Sequence, residues 1–554
     1  MRIAPGVPSP GGWGPRLSGT PERTASERTG APPIARGKLK RVARPSVQIL
    51  DTTLRDGEQT PNVAYTPSEK IQIARLLLRE VNVDRIEFGQ ARISPGEATA
   101  VRRITSWARK SKLEERVEIL GYVDGKKSVD WIVENGGAVL NLLTKGSREH
   151  CEKQLRSTPE KHFKDISETI RYARRRGLSV NVFLEDWSSG VQDSFDYVFG
   201  HVSNLCGLGV KRIFLPDTLG ILNTSDTERY VGLMTRTWPD LTFEYHAHND
   251  YGLATANCLA AVEAGARGLH TSVNGMGERS GNTRLAELIA SLHDLSPYRT
   301  QVNESKLTAM SELVSTFSGK PIADNAPVIG RDVFTQTAGI HADGDTKAGL
   351  YANKLLPSRF GRRRRYALGK MSGKASLDQN LNTLGIKLLP ENRDLVLQRI
   401  IELGDKKHTV TPEDLPMIIA DVLKTPEDQV IRIESYEIQS RSDDLPSAKL
   451  SLSYRGRRVE ASSTGDGGYD AFMQALAKAT RKLGLKLPSL IDYKVRIPPG
   501  GKSGAIVETL ITWRLGARAE PFSTLAVDSD QTAAAVIATE KMLNLIVKPR
   551  TKRA

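Results

Sequence analysis

Eight short apolar runs recur about every thirty residues between Ser46 and Ser296, and that repeat constrains the fold more than any other feature. They are VQILD (47–51), DRIEFG (84–89), VEILGYV (117–123), AVLNLL (138–143), SVNVFLE (179–185), KRIFLPD (211–217), TFEYHAH (242–248) and GLHTSVN (268–274). Amphipathic stretches separate them. In Ser68–Glu80, for example, Ile71, Ala74, Leu77 and Leu78 fall on one helical face. Eight strand–helix units in about 250 residues predict an α/β fold, a closed (β/α)8 TIM barrel. The alternative, an open doubly wound sheet, is disfavoured because no GxGxxG follows the first run.

Such a barrel builds its active site from the loops at the carboxyl ends of its strands. In ILDTTLRDGEQTP (49–61) the first run passes straight into Arg55, Asp56, Glu58 and Gln59, so these face that rim. Glu185 and Asp186 leave the fifth run there, Asp217 and Thr218 the sixth, and the glycine-rich NGMGERSGN (274–282) follows the eighth. The seventh run ends in HAHND, whose His246 and His248 are two residues apart and point the same way. Two neutral imidazoles with an oxygen donor suit an open divalent-ion site, and Asp56 is the oxygen donor on the same rim. A lone HxH would more often only hydrogen-bond to backbone; the converging acids favour metal. With few sulfur donors, the ion is Mg, Mn or Zn.

TLRDGEQ, PDTLG, HAHND, GERSGN and TAGIHADGD, in this order, resemble the signatures of the isopropylmalate, homocitrate and citramalate synthase family. The resemblance runs from about Val47 to the C-terminus. It implies an enzyme that condenses acetyl-CoA, its co-substrate, with a 2-oxo acid on a metal-bearing barrel and then hydrolyses the thioester. It also implies Asp56, His246 and His248 as metal ligands with Asn282 as a fourth, and Arg55 and Thr218 as the residues that hold the oxo acid. His341, in GIHADGD, resembles the family's catalytic histidine, supplied with Tyr351 across a homodimer. Homocitrate synthases often carry Glu where Asp56 stands, which disfavours that branch.

A base must take a proton from the acetyl methyl group, and Glu185, at the end of the fifth run, is the candidate; its alternative is a carboxylate that orients a ligand. Leu120, Leu143 and Phe183 stand at the mouth, and alternation puts Phe183 on the side of Glu185. If they line the pocket rather than pack the core, they leave room for a methyl group but little for an isopropyl group. Pyruvate is then the substrate and citramalate the product, on the way to isoleucine. The alternative is 2-oxoisovalerate, as in 2-isopropylmalate synthase and leucine biosynthesis. EILGYVDG, NLLTKG, FLEDWS and GGYDAFM also resemble the citramalate branch.

Four parts are expected: a basic tail (1–45), the barrel (46–300), helical linker subdomains (301–428) and a C-terminal α+β module (429–554). The tail holds nine Lys/Arg against two Glu, nearly half of the net charge of +15, with eight prolines and seven glycines. It reads as disordered. The RRRR at 362–365 reads as a solvated linker face or a contact for a CoA phosphate, and no nucleic-acid partner is expected. Three cysteines without CxxC spacing fit a reducing cytoplasm, and no apolar run would span a membrane. The last part reads as two βββα-like halves: VIRIESYEIQS, SAKLSLSYRG and RRVEASSTG with a helix Asp470–Leu483, then a strand pair, LIDYKVRI and AIVETLITW, with a helix Ser529–Leu545. The resemblance makes this a regulatory domain for the pathway's end product, isoleucine. Tyr469, Asp470, Tyr493, Ile497 and Gln531 are the candidate effector residues, and dimerisation alone is the alternative.

Overall fold

The computed structural model describes residues 45–547 apart from 385, 406–409, 424–429, 497–506 and 517–520. Each of the eight runs falls on a strand, two of which extend past their runs: β1 (Gln48–Asp51), β2 (Arg85–Gln90), β3 (Val117–Tyr122), β4 (Val139–Lys145), β5 (Ser179–Glu185), β6 (Arg212–Asp217), β7 (Thr242–Ala247) and β8 (Gly268–Thr271). They form a closed parallel barrel, sealed where Gln48–Asp51 registers against Gly268–Thr271. The first outer helix, Pro67–Leu76, starts where the sequence signals it. Thr66 accepts from Glu69 N–H, and the Glu69 carboxylate accepts from Thr66 N–H at 2.7 Å. One apolar core joins the outward faces of the strands to the helices.

The barrel interior is layered. Leu50, Leu120, Phe183 and Phe214 form a small apolar cluster with Leu143 against it. Two residues earlier on β3, β4 and β5, strand alternation puts Glu118, Asn141 and Asn181 one layer lower. There Arg85 bonds Glu118 at 2.7 Å and Glu244 at 2.5 Å, and His270 lies 3.1 Å from Glu244. Arg85, Glu118, Glu244 and His270 are all buried.

Beyond the barrel, helix Leu307–Ser318 and Phe334 and Phe360 still pack into the barrel core. Two short strands, β9 (Thr335–Gln336) and β10 (Arg365–Tyr366), pair in parallel, and helix Gly339–Ala348 lies between them in sequence. Helices Lys374–Leu384, Pro390–Asp405 and Leu415–Leu423 share a separate core. The arginine run is divided by the structure: Arg363 and Arg365 are exposed, as on a solvated face, whereas Arg362 and Arg364 are only partly exposed. Arg362 donates to the carbonyls of Gly330 (2.6 Å) and Arg331 (2.8 Å), and Arg364 pairs with Asp345 at 3.2 Å, so these two stitch the chain together.

The C-terminal part comprises two similar halves with a common core that includes Phe472, Trp513 and Met542. The first has β11 (Ile431–Gln439), β12 (Ser447–Tyr454), β13 (Arg457–Thr464) and helix Gly468–Lys482. The second has β14 (Ser489–Arg496), β15 (Val507–Arg514), β16 (Phe522–Asp528) and helix Gln531–Ile546. The second half therefore has three strands, as the βββα-like repeat implies, although only two of them are marked by runs in the sequence. FSTLAVD buries only the small Thr524 and Ala526 among its inward residues, so its apolar alternation is weak. Among the described residues, no helix is long and apolar enough to cross a membrane.

Candidate active site

Closing the ring carries residues from four loops to one mouth. Asp56 follows β1, His246 lies within β7 and His248 just after it, and each offers one ligand atom within 4.8 Å of the others. His246 Nε2 lies 3.2 Å from Asp56 Oδ2 and 3.4 Å from His248 Nε2. All three are buried. Burial alone would raise the Asp56 carboxyl, but Arg55 and His246 beside it hold it well below the usual range. His248 is lowered to about 4 by burial and by His246, so at neutral pH its imidazole is uncharged with a lone pair to give.

These donors fit a divalent ion. The Nε2 atoms of both histidines and an Asp56 carboxylate oxygen converge at the wall of one cavity, two imidazole nitrogens and one oxygen. Asn282 reaches the same place because the loop after β8 turns tightly: a Cβ on Gly281, whose φ is +79°, would stand 1.8 Å from Gly275 O. Its Nδ2 donates to Asp56 Oδ2 at 2.7 Å, so in this arrangement Asn282 holds the Asp56 carboxylate in place, while its Oδ1 is buried without a partner.

Arg55 points inward. Its Nη1 lies 3.1 Å from Asp56 Oδ1, its Nε donates to Glu87 Oε2 at 2.5 Å, and its guanidinium stands 5.8 Å from the Phe183 ring centroid. Asn141 in turn donates to Glu87 Oε1 at 2.8 Å. Leu120, Leu143, Phe183, Glu185 and Thr218 line the same cavity, of about 610 Å³. The Thr218 hydroxyl accepts from Asp186 N–H at 2.9 Å, which leaves its own proton free to donate into the cavity.

Other rim residues brace loops instead. Asp217 accepts from the backbone N–H of Ile221 and Leu222, Asp186 from the Ser189 hydroxyl, and Asp250 pairs with Arg279. Glu58 pairs with the buried Lys70 at 2.6 Å. His341 lies elsewhere: it is exposed on its helix, with its ring 4.4 Å from that of Tyr351, and does not line this cavity. Sequence reading missed Glu87, Tyr122 and Lys145. Lys145, at the end of β4, forms an ion pair with Glu185. Its place at the carboxyl end of a strand was the available signal.

In the C-terminal module the Tyr469 hydroxyl lies 2.7 Å from Thr539 Oγ1, and its ring centroid is 5.1 Å from that of Tyr493; Gln531 opens the last helix. Asp470 accepts from Asp466 N–H at 3.1 Å. Ile497 lies outside the described residues.

The HMGL-like family matches residues 46–314, a homocitrate synthase post-HMGL domain matches 328–408, and the LeuA allosteric (dimerisation) domain matches 409–547. An (R)-citramalate synthase of Methanocaldococcus jannaschii is 32% identical over 90% of this chain and 99% of its own. The chain belongs to the citramalate and isopropylmalate synthase family. It is an acetyl-CoA-dependent acyltransferase on a metal-dependent type of barrel. A Methanopyrus kandleri relative, provisionally named a citramalate synthase, is 36% identical over 82% of this chain and 88% of its own. A 2-isopropylmalate synthase of M. jannaschii is also 32% identical, over 91% of this chain and 96% of its own. Two enzymes named for different products, citramalate and 2-isopropylmalate, are thus equally similar, and overall identity does not choose between them.

Proposed function

We propose that the chain condenses acetyl-CoA with pyruvate to give (R)-citramalate and CoA. The observation that carries this reading is the apolar wall of Leu120, Leu143 and Phe183 in the cavity of Arg55 and the histidines. The Phe183 ring centroid is 6.0 Å from that of His246, so the ring crowds the place where the oxo acid's side group would lie. A methyl group is accommodated there more readily than a branched one.

Asp56, His246 and His248 would hold a divalent ion (Mn, Mg or Zn), with Asn282 steadying Asp56. When bound, that ion would supply Lewis acidity to the ketone of the oxo acid. Arg55, fixed by Glu87, places a positive charge beside the developing alkoxide, and the Thr218 hydroxyl donates to the oxo acid's carboxylate. Glu185 takes the methyl proton. His341 of a second copy in a homodimer completes the site, and isoleucine, bound near Tyr469, Tyr493 and Gln531, inhibits.

Thiol release measured with each oxo acid and acetyl-CoA tests the substrate. The expected result is a higher kcat/KM for pyruvate; a higher value for 2-oxoisovalerate would overturn the reading in favour of isopropylmalate synthesis. The same assay with isoleucine or leucine added identifies the effector.

Phe183→Ala gives a sharper check. Opening the wall is expected to shift the ratio of kcat/KM values toward 2-oxoisovalerate by ~10-fold or more, since pocket contacts of this kind discriminate by ~1–3 kcal/mol. Leu120→Ala acts in the same direction but less. An unchanged ratio in both variants places the selecting residues elsewhere.

A further inference from the structure

Lys145 is the last residue of β4 and registers directly against Glu185, the last of β5. Its ammonium is paired with the Glu185 carboxylate, and the residue is only 8% exposed. Its backbone is held on both sides. The N–H donates to His162 Nε2 at 3.2 Å, and the carbonyl accepts from the Tyr197 hydroxyl at 3.1 Å. The next N–H, of Gly146, donates to the Glu185 carbonyl at 2.6 Å. Gly190 closes over that contact so tightly that a Cβ there would stand 2.1 Å from Gly146 O. A long, flexible side chain is thus fixed in the wall of the reaction cavity.

Removing a proton from the acetyl methyl group leaves negative charge on the thioester oxygen, and that charge needs a cation. Arg55, held by Asp56 and Glu87, already serves the alkoxide of the oxo acid in the proposed reaction, so the thioester oxygen needs a different cation. We propose that Lys145 is a catalytic residue that stabilises the thioester enolate. The inference rests on the assignment of Glu185 as the base. As the methyl C–H bond breaks, its proton passes to a Glu185 carboxylate oxygen. The C–H electron pair forms the enolate C=C bond, and the carbonyl π pair moves onto the thioester oxygen. Glu185 becomes neutral, so the Lys145 charge is released to that oxygen when it turns negative. The enolate carbon then bonds to the ketone carbon of the oxo acid, whose own π pair moves onto its oxygen.

Full-length Lys145→Met, Lys145→Arg and Glu185→Gln test this, assayed by thiol release with ordinary and methyl-deuterated acetyl-CoA. Lys145→Met is expected to lower kcat ~10²–10³-fold, the size seen when one preorganised charge-stabilising donor is lost. The KM for pyruvate and the bound metal should be unchanged, and the deuterium isotope effect on kcat should rise. Lys145→Arg recovers part of the rate, and adding Lys145→Met to Glu185→Gln costs less than it does alone, because the two act as a unit. Lys145→Met that keeps kcat and loses only thermal stability shows a structural clamp and overturns the proposal. Glu185→Gln that keeps turnover overturns the base assignment and this inference with it. Loss confined to Glu185→Gln overturns this inference alone.

Discussion

Replacing His246 or His248 by alanine is expected to empty the divalent-ion site and stop turnover together. Each histidine supplies one of three donor atoms within 4.8 Å of one another, and the third belongs to Asp56. Two donors on a rim otherwise lined with hydrogen-bonding groups hold an ion far more weakly than three. Losing the ion removes several kcal/mol of transition-state stabilisation, a fall of ~10³-fold or more in kcat. The fold should survive, because the Nδ1 atoms of both rings make no hydrogen bond that a strand depends on. Metal content of the purified variants, read beside circular dichroism and thiol release, checks this. A variant with unaltered metal content would show that these histidines are structural.

Arg85→Met is expected to produce the largest loss of stability. The arginine is 5% exposed and lies between Glu118 and Glu244, which are fully buried. Removing one partner from a buried ionic group leaves uncompensated charge and costs ~3–5 kcal/mol. Arg212 at 2.7 Å and His270 still serve Glu244, whereas Glu118 keeps only Asn141. Adding Glu118→Gln to Arg85→Met should therefore restore part of the denaturant midpoint; no recovery would mean that lost packing, not charge, is responsible. The pH dependence follows from the same cluster. Burial would raise Glu244, but Arg85 and His270 bring it down to about 2 from an ordinary 4.5. A carboxylate depressed in the folded state stabilises above its unfolded value and loses that contribution as pH falls toward 2. The acid limb of the stability profile should flatten over this window in Arg85→Met.

The barrel was legible because a buried parallel strand is a run of β-branched and aliphatic residues, and eight such runs at even spacing leave few alternatives. The rim was legible for the same reason: a polar residue just past a strand can face only one end. The interior was not. Arg85, Glu87, Glu118, Asn141 and Glu244 sit within apolar runs, and their partners are 23 to 159 residues away, so alternation tells which way each points but not what it meets. Lys145 escaped notice for a related reason. A lysine at a strand end reads as a solvated charge until register sets Glu185 opposite it. The small residues of β16 hid a strand altogether.

The hydrogen bond between Asp56 and Asn282 spans 226 residues, and β8 lies between β7 and β1 in the ring. The donor set is therefore a product of ring closure. A growing chain that has made Arg55 and Asp56 has no metal site until Gly268–Thr271 inserts against Gln48–Asp51. Such distant contacts form late, since the loop entropy is spent before they give anything back. The three candidate donors thus come together only in a chain whose last barrel strand has found its first, and a partly folded chain presents no complete set of them.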